Sequence, residues 1–226
     1  MTFSIVATCR RTGQFGVGAT TEMPAVGQLL SWAFPGAGAV ATQALVNPYL
    51  GIDGISLLRK RTGARAALDE LIGRDERARQ RQLALIDRDG LTAVWTGEDC
   101  LHWAGSVQGD GFSAQGNRLR GPQVVEAMAE AFEATDGGAI GLPNRLMAAL
   151  VAGDRAGGDR KGERSANILV VESEEYPLWD IRVDDHPRPM EELARLHAVF
   201  ETDLLPHIRR MPRRDHFQGD ADDFSI

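Results

Sequence analysis

The sequence predicts an α+β protein built as a four-layer αββα sandwich, in which two antiparallel sheets pack face to face and helix pairs cover their outer faces. Two observations lead to this prediction. Strand-forming segments occur in groups joined by short turns, as in antiparallel hairpins, and a helix pair follows each of the first two groups. Hairpins separated by helix pairs contain no strand–helix–strand crossover, so they do not form a doubly wound parallel sheet.

The first strand group opens the chain. Residues 2–8 and 15–21 show strand-like alternation, and the turn-forming residues between them predict a hairpin. The stretch from 24 to 38 is rich in Gly, Ala and Pro and predicts no regular element. A buried strand is expected at 39–44, ended by Asn47 and the proline that follows it.

Two helices are expected next. The first lies near residues 52–61. The second is predicted by apolar residues at i, i+3, i+4, i+7 and i+8, and glycines bracket it on both sides. These positions are Ala64, Ala67, Leu68, Leu71 and Ile72.

The second strand group consists of two hairpins. Residues 82–87 and 91–95 flank a turn that contains Asp89-Gly90, a dipeptide favoured in two-residue hairpin loops. Residues 103–108 and 112–115 flank a Gly-Asp-Gly turn. A second strand group after the helix pair provides further strands for the two sheets of the predicted sandwich.

The remaining elements complete the alternation. A helix is expected after Pro122, since proline is favoured at the first helical position, and another helix is expected near 142–150. The chain then supplies a strand pair and a final helix, whose ranges are 165–172, 179–183 and 193–204.

Composition limits the class of protein. The chain has 226 residues, and we expect residues 1–210 to form one domain and residues 211–226 a loosely ordered tail. A formal net charge of -7 argues against nonspecific binding to nucleic acid or to an anionic membrane. Cys9 and Cys100 are too few for a disulfide framework, and no apolar run reaches transmembrane length. We therefore expect a cytoplasmic protein with a small-molecule ligand.

Thr2 is the first candidate for chemistry. If Met1 is removed, Thr2 carries a hydroxyl group and a free α-amine on the same residue. An unperturbed α-amine has a pKa of about 7.7–8.0, which suits a general base near neutral pH, and an N-terminal amine is known to activate a threonine hydroxyl. The other interpretation is that Thr2 is only a β-branched residue that opens a strand.

The order of strand groups and helix pairs resembles that of the N-terminal-nucleophile hydrolases, which include the proteasome subunits. Several short blocks resemble a narrower bacterial family, named domain of unknown function 1028. These blocks span about residues 1–172 and are, in order, Met1–Ala7, Ala25–Gly27, Gly38–Gln43, Gln115–Asn117 and Gly157–Gly162. The resemblance implies an αββα fold that carries its nucleophile at the start of the chain, but it implies no particular substrate.

Two of these blocks supply candidate site residues. In the glycine-rich segment, Asp159 could orient an amine and Arg160 could bind a carboxylate through two hydrogen bonds, and Ser165 follows at the start of a strand. The alternative is a loop whose charges face water. Asn117 could donate a hydrogen bond to a developing oxyanion, or it could stabilise a turn.

Further candidates lie in and near the first strand group. Thr42, Gln43 and Asn47 are polar residues in an otherwise apolar segment, so they either bond neighbouring backbone groups or line a pocket. Thr21 ends the second strand of the first hairpin, beside the first strand, so it either lies near Thr2 or is only a β-branched residue of the strand. We expect these four residues to contribute to substrate binding.

The leading hypothesis is an amidohydrolase that needs no metal or organic cofactor. Thr2 would attack the carbonyl of a small amide or ureide to form an acyl-enzyme, which water then hydrolyses. The alternative is a non-catalytic binding protein that retains Met1 and holds a carboxylated ligand through Arg160. A third version makes Asp159 the base and Asn117 the donor. A homo-oligomer is expected by analogy with other sandwich folds.

Overall fold

The computed structural model describes residues 2–135, 140–158 and 162–220, and within these ranges ten strands form two antiparallel sheets. The strands are β1 (Thr2–Cys9), β2 (Gln14–Thr21), β3 (Ser31–Phe34), β4 (Gly38–Ala44), β5 (Arg81–Asp87), β6 (Thr92–Thr96), β7 (Trp103–Gly109), β8 (Phe112–Leu119), β9 (Ser165–Val171) and β10 (Trp179–Val183). The helices are α1 (Val26–Leu29), α2 (Pro48–Arg59), α3 (Ala64–Gly73), α4 (Gln123–Ala134), α5 (Leu142–Arg155), α6 (Pro189–Val199) and α7 (Leu205–Ile208).

The larger sheet has the strand order β10-β9-β2-β1-β8-β7, and the smaller sheet has the order β3-β4-β5-β6. Every neighbouring pair is antiparallel. The predicted hairpins β1–β2, β5–β6 and β7–β8 all form. In addition, β1 pairs with β8, which joins the first strand group to the second and places β1 near the centre of the larger sheet.

Alternation along the strands separates the layers. Phe3 and Ile5 of β1 pack with residues of α4 and α5, on the outer face of the larger sheet. Val6 points the other way and packs with Ala39 and Ala41 of β4, between the two sheets. Leu68 of α3 belongs to a third cluster, which covers the outer face of the smaller sheet. The predicted four-layer αββα sandwich is therefore confirmed.

Some elements differ from the predicted ones. Helix α2 begins at Pro48, four residues before the predicted start, because Asn47 caps it by accepting a hydrogen bond from the backbone N–H of Tyr49 at 3.1 Å. Strand β3 lies in the stretch where no element was expected. The local composition does not favour a strand there, but pairing with β4 stabilises one. Strand β8 continues four residues past Gln115, so that Asn117 lies within it.

The C-terminal part of the chain is less regular. Residues 200–204 form a π-helical turn between α6 and α7. Residues 211–220 form no helix or strand, but they contact the loop that joins β9 to β10: the hydroxyl of Tyr176 donates to the carbonyl of Pro212 at 3.0 Å. No helix in the described parts of the chain is both long and apolar enough to cross a membrane.

Candidate functional site

Thr2 begins β1 and lies between two neighbouring strands. Its Cα partners are Thr21 in β2 and Asn117 in β8. Antiparallel partners place their side chains on the same face, so Thr2, Thr21 and Asn117 form one row across the larger sheet. The Oγ1 atoms of Thr2 and Thr21 are 3.0 Å apart, within hydrogen-bond distance. The structure therefore brings together three of the residues proposed from the sequence.

The next row toward the core contains Ser4, whose partner in β8 is Gln115. The hydroxyl of Ser4 donates to Oε1 of Gln43 in β4 at 2.7 Å. This bond crosses from the larger sheet to the smaller one and places Gln43 directly behind the Thr2 row. Gln43 is 2% exposed.

Gln82 of β5 joins these two rows. Its Oε1 accepts hydrogen bonds from Nε2 of Gln43 at 2.8 Å and from Nδ2 of Asn117 at 3.1 Å. Its Nε2 lies 2.9 Å from the carbonyl oxygen of Gly116 and 3.0 Å from Oγ1 of Thr96. Both the oxygen and the nitrogen of the Gln82 side-chain amide are thus hydrogen-bonded, and the side chain is fully buried.

The space between the sheets is therefore polar at the Thr2 end and apolar at the opposite end, where Val6, Val17 and Ile86 pack together. Buried polar groups are costly unless they are hydrogen-bonded, and a bonded network holds its members in fixed orientations. Two buried amide atoms near this network, Oε1 of Gln115 and Nδ2 of Asn167, have no hydrogen-bond partner among the described residues. The hydrogen bonds therefore hold the side chains of Ser4, Gln43, Gln82 and Asn117 in fixed orientations.

Ser165 lies in the same row, since it is the Cα partner of Thr21 in β9. Its hydroxyl donates to the carbonyl of Met23 at 2.6 Å and accepts from the backbone N–H of Val26 at 3.0 Å. These two bonds fasten the connection between β2 and α1. The hydroxyl of Ser165 thus supports the wall of the site.

Thr42 and Asn47 lie away from the Thr2 row. Thr42 follows Ala41 in β4 and points to the helical side, where its hydroxyl donates to the carbonyl of Asn47 at 3.3 Å. The Asn47 side chain caps α2, as described above. Asp159 and Arg160 lie outside the described residues.

Sequence reasoning did not find Ser4 or Gln82 as parts of the site. The available signal was a polar residue on an inward-facing position of a strand, the same signal that pointed to Gln43. Two charged residues that directly follow members of the Thr2 row were also missed. Glu22 follows Thr21, Arg118 follows Asn117, and their carboxylate and guanidinium groups approach to 3.8 Å.

The Cys100 thiol lies near the same end of the sandwich, where it donates to the carbonyl of Arg81 at 3.4 Å. Burial raises the pKa of the Cys100 thiol, and the nearby Asp99 carboxylate also raises it, so that the thiol is protonated and weakly nucleophilic at neutral pH. Within the described ranges, no three His, Cys, Asp or Glu side chains are grouped so that they could hold a metal ion. The hydroxyl-bearing residues of the row are Thr2, Thr21 and Ser165.

Comparison with known proteins agrees with this fold. A model of a family described as a family of unknown function (DUF1028) matches residues 2–193. The crystal structure of protein SPO2555 from Silicibacter pomeroyi, a member of that family, has a TM-score of 0.88 and 31% sequence identity, with 96% of this chain and 98% of that chain covered.

A second solved structure is much less similar. The ancestral β-subunit Anbu from Yersinia bercovieri has a TM-score of 0.39 and 12% identity, over 93% of this chain and 98% of that chain. No curated protein matches this sequence significantly. With the family model covering most of its length, the chain belongs to the DUF1028 family, as the blocks between Met1 and Gly162 predicted.

Proposed function

We propose that the protein is an amidohydrolase whose nucleophile is Thr2, made available by removal of Met1. The substrate is a small amide or ureide. The observation that carries this proposal is the row of Thr2, Thr21 and Asn117 at the polar end of the space between the sheets. It combines a hydroxyl, a hydroxyl partner and an amide donor on three adjacent strands.

The chemistry proceeds in two stages. The α-amine of Thr2 takes the proton from Oγ1, and the oxygen attacks the substrate carbonyl to form a tetrahedral oxyanion. The C–N bond then breaks, the leaving nitrogen takes the proton from the ammonium group, and an ester to Thr2 remains. Water hydrolyses that ester through the same groups and releases the acid.

Two neighbours support these steps. The Oγ1 of Thr21, 3.0 Å from that of Thr2, orients the attacking hydroxyl. Nδ2 of Asn117 carries two N–H groups, one of which bonds Gln82, and the other serves as an oxyanion donor. A single donor of this kind contributes about 2.7–4 kcal/mol to the stability of the transition state. Asp159 is proposed to orient the amine.

The experiment has two parts. Intact-mass measurement on protein from its native source establishes whether residue 1 is absent. Protein that begins at Thr2 is then assayed against a panel of amides, ureides and small peptides, together with the Thr2→Ala and Thr2→Ser variants. We expect Thr2→Ala to abolish turnover and Thr2→Ser to retain part of it, since serine keeps both the hydroxyl and the amine.

Two results would contradict the proposal. Unchanged turnover in Thr2→Ala would remove Thr2 from the mechanism. Complete retention of Met1 in native protein would favour the non-catalytic binding protein, because the amine would then be an amide. If turnover survives with Met1 in place and is lost in Asp159→Asn, the carboxylate-base mechanism is correct instead.

A further inference from the structure

Arg118 has an unusual backbone conformation at the edge of the proposed site. Its φ is 58°, in the left-handed region that L-residues other than Asn and Asp seldom adopt. The register between β7 and β8 pairs Ala104 with Asn117 and Trp103 with Leu119, so that Arg118 is the extra residue of a β-bulge. Bulges of this type normally place glycine at the left-handed position.

The Arg118 side chain reaches toward β2. Its Nη1 lies 3.8 Å from the carboxylate of Glu22, the residue that follows β2. Because β1 lies between β2 and β8, this contact crosses the start of β1, next to Thr2.

Stability does not explain this arrangement. The Arg118 side chain is 42% exposed, that of Glu22 is 16% exposed, and an ion pair with one exposed partner and a distance of 3.8 Å contributes little to stability. The described residues include four other non-glycine residues with positive φ, and three of them also border this end of the sandwich. They are Ala25 after β2, Ala44 at the end of β4 and His102 before β7. Strained backbone concentrates at functional sites because surrounding contacts must hold it there.

We propose that Arg118 binds a carboxylate group of the substrate, so that the protein acts on amides that carry an acid group near the scissile bond. This inference rests on the proposed function of Thr2. Arg118 exchanges its long contact with Glu22 for two parallel hydrogen bonds to the substrate carboxylate. Glu22 stays beside the start of β1 and stabilises the ammonium group that forms when the Thr2 amine takes the hydroxyl proton.

Binding tests this proposal without requiring turnover. The Thr2→Ala protein, which keeps Arg118, is titrated calorimetrically with N-acetylglycine, N-acetyl-β-alanine and succinamate, and with the neutral carboxamide of each. We expect at least one acid to bind at least about tenfold more tightly than its carboxamide, the advantage of one charge-assisted interaction. Added salt reduces this preference.

The decisive variant is Arg118→Gly, with Arg61→Gly as its matched control. Arg61 has φ 67° and lies in the exposed connection between α2 and α3. Glycine adopts these φ values without strain, so neither substitution lowers Tm. We expect Arg118→Gly to bring the acid-to-carboxamide ratio close to one and Arg61→Gly to leave it unchanged.

The outcomes separate this inference from the proposed function. Acid preference that depends on Arg118, in a protein that hydrolyses no amide, would support the role of Arg118 and reject the hydrolase. Hydrolysis in which Arg118→Gly leaves the relative kcat/KM of acidic and neutral amides unchanged would reject the role of Arg118 alone. An acid-to-carboxamide affinity ratio near one for all three pairs would also overturn it. So would an acid preference that is lost in Arg160→Gln but kept in Arg118→Gly.

Discussion

The hydroxyl oxygens of Thr2 and Thr21 lie 3.0 Å apart across the β1–β2 pair, on the face that looks toward the smaller sheet. Thr2 is 9% exposed and Thr21 is 4% exposed. This short contact belongs to a hairpin whose register is set by eight consecutive residue pairs. Its geometry is therefore held by the sheet and does not depend on a mobile loop.

Replacing Thr21 by valine removes the partner of the Thr2 hydroxyl while conserving shape. We expect kcat to fall about tenfold, the effect of losing one orienting hydrogen bond, with the fold retained. Steady-state kinetics on protein that begins at Thr2 measures this.

The matched control is Thr20→Val, one residue earlier. The Thr20 hydroxyl donates to the carbonyl of Ser165 at 2.8 Å and does not belong to the Thr2 row. This variant should lose about 1 kcal/mol of stability with kcat unchanged. Equal kinetic effects in Thr20→Val and Thr21→Val would mean that the Thr21 hydroxyl has no specific role.

Gln82→Leu tests the network between the sheets. The substitution leaves Nε2 of Gln43 and the carbonyl of Gly116 buried without their amide partner, so we expect the free energy of unfolding to fall by about 3 kcal/mol. Urea denaturation measures it. Gln108→Leu, at an exposed site where the amide oxygen accepts from Thr92, should change stability by less than about 0.5 kcal/mol. A loss below about 1 kcal/mol in Gln82→Leu would show that the hydrogen bonds of Gln82 contribute little to the free energy of unfolding.

The ion pair of Asp75 and Arg81 anchors the start of β5, directly before Gln82. Both side chains are 9% exposed, and Nε of Arg81 lies 2.9 Å from the Asp75 carboxylate. Burial raises the pKa of Asp75, but hydrogen bonds from Arg81 and from the backbone N–H of Arg77 outweigh it and lower the pKa below the ordinary value of 3.8. The carboxylate therefore stabilises the fold above about pH 4, and that contribution is lost as the pH falls further.

Asp75→Asn leaves the buried Arg81 guanidinium without its counter-charge, and we expect a loss of about 3 kcal/mol in thermal or urea unfolding at pH 7. Asp99→Asn is the control, because Asp99 pairs with Arg79 at the exposed surface. That substitution should cost less than about 1 kcal/mol. Similar losses in both variants would argue that burial does not strengthen the Asp75 pair.

His197 makes stability depend on pH in the neutral range. Its ring packs against Trp179 with centroids 4.5 Å apart and the ring planes tilted by 31°, and this contact docks α6 onto β10. Burial lowers the pKa of His197 below 6.5, against the opposing effects of Glu201 and the backbone of Pro143. The unfolded chain thus binds the proton more readily, so stability should fall as the pH drops below about 6.5.

Thermal unfolding between pH 7.5 and 5 measures this effect, with His197→Phe as the test variant and His102→Asn as the exposed control. We expect the fall in Tm over that range to be smaller in His197→Phe and unchanged in His102→Asn. An identical pH profile in His197→Phe and the parent protein would show that another group is responsible.

Much of the fold could be predicted because it depends on local patterns. The alternation in β1 and β2, the Asp-Gly turn before β6 and the periodicity of α3 are properties of short windows, and each element formed where it was expected. Strand β3 was missed because its residues acquire strand geometry only by pairing with β4. Asn117 was expected after a strand, but pairing with β1 extends β8 past it.

The residues alone were enough to indicate the family, the αββα layers and Thr2 as the candidate nucleophile, because each of these depends on chain order and residue type. Contacts between distant segments required the folded chain. Gln82 acquires its role only when β5 is placed against β8, and Arg118 reaches Glu22 only because β2 and β8 lie on the two sides of β1. The order and register of the strands depend on the packing of whole sheets. No short window of sequence contains that information.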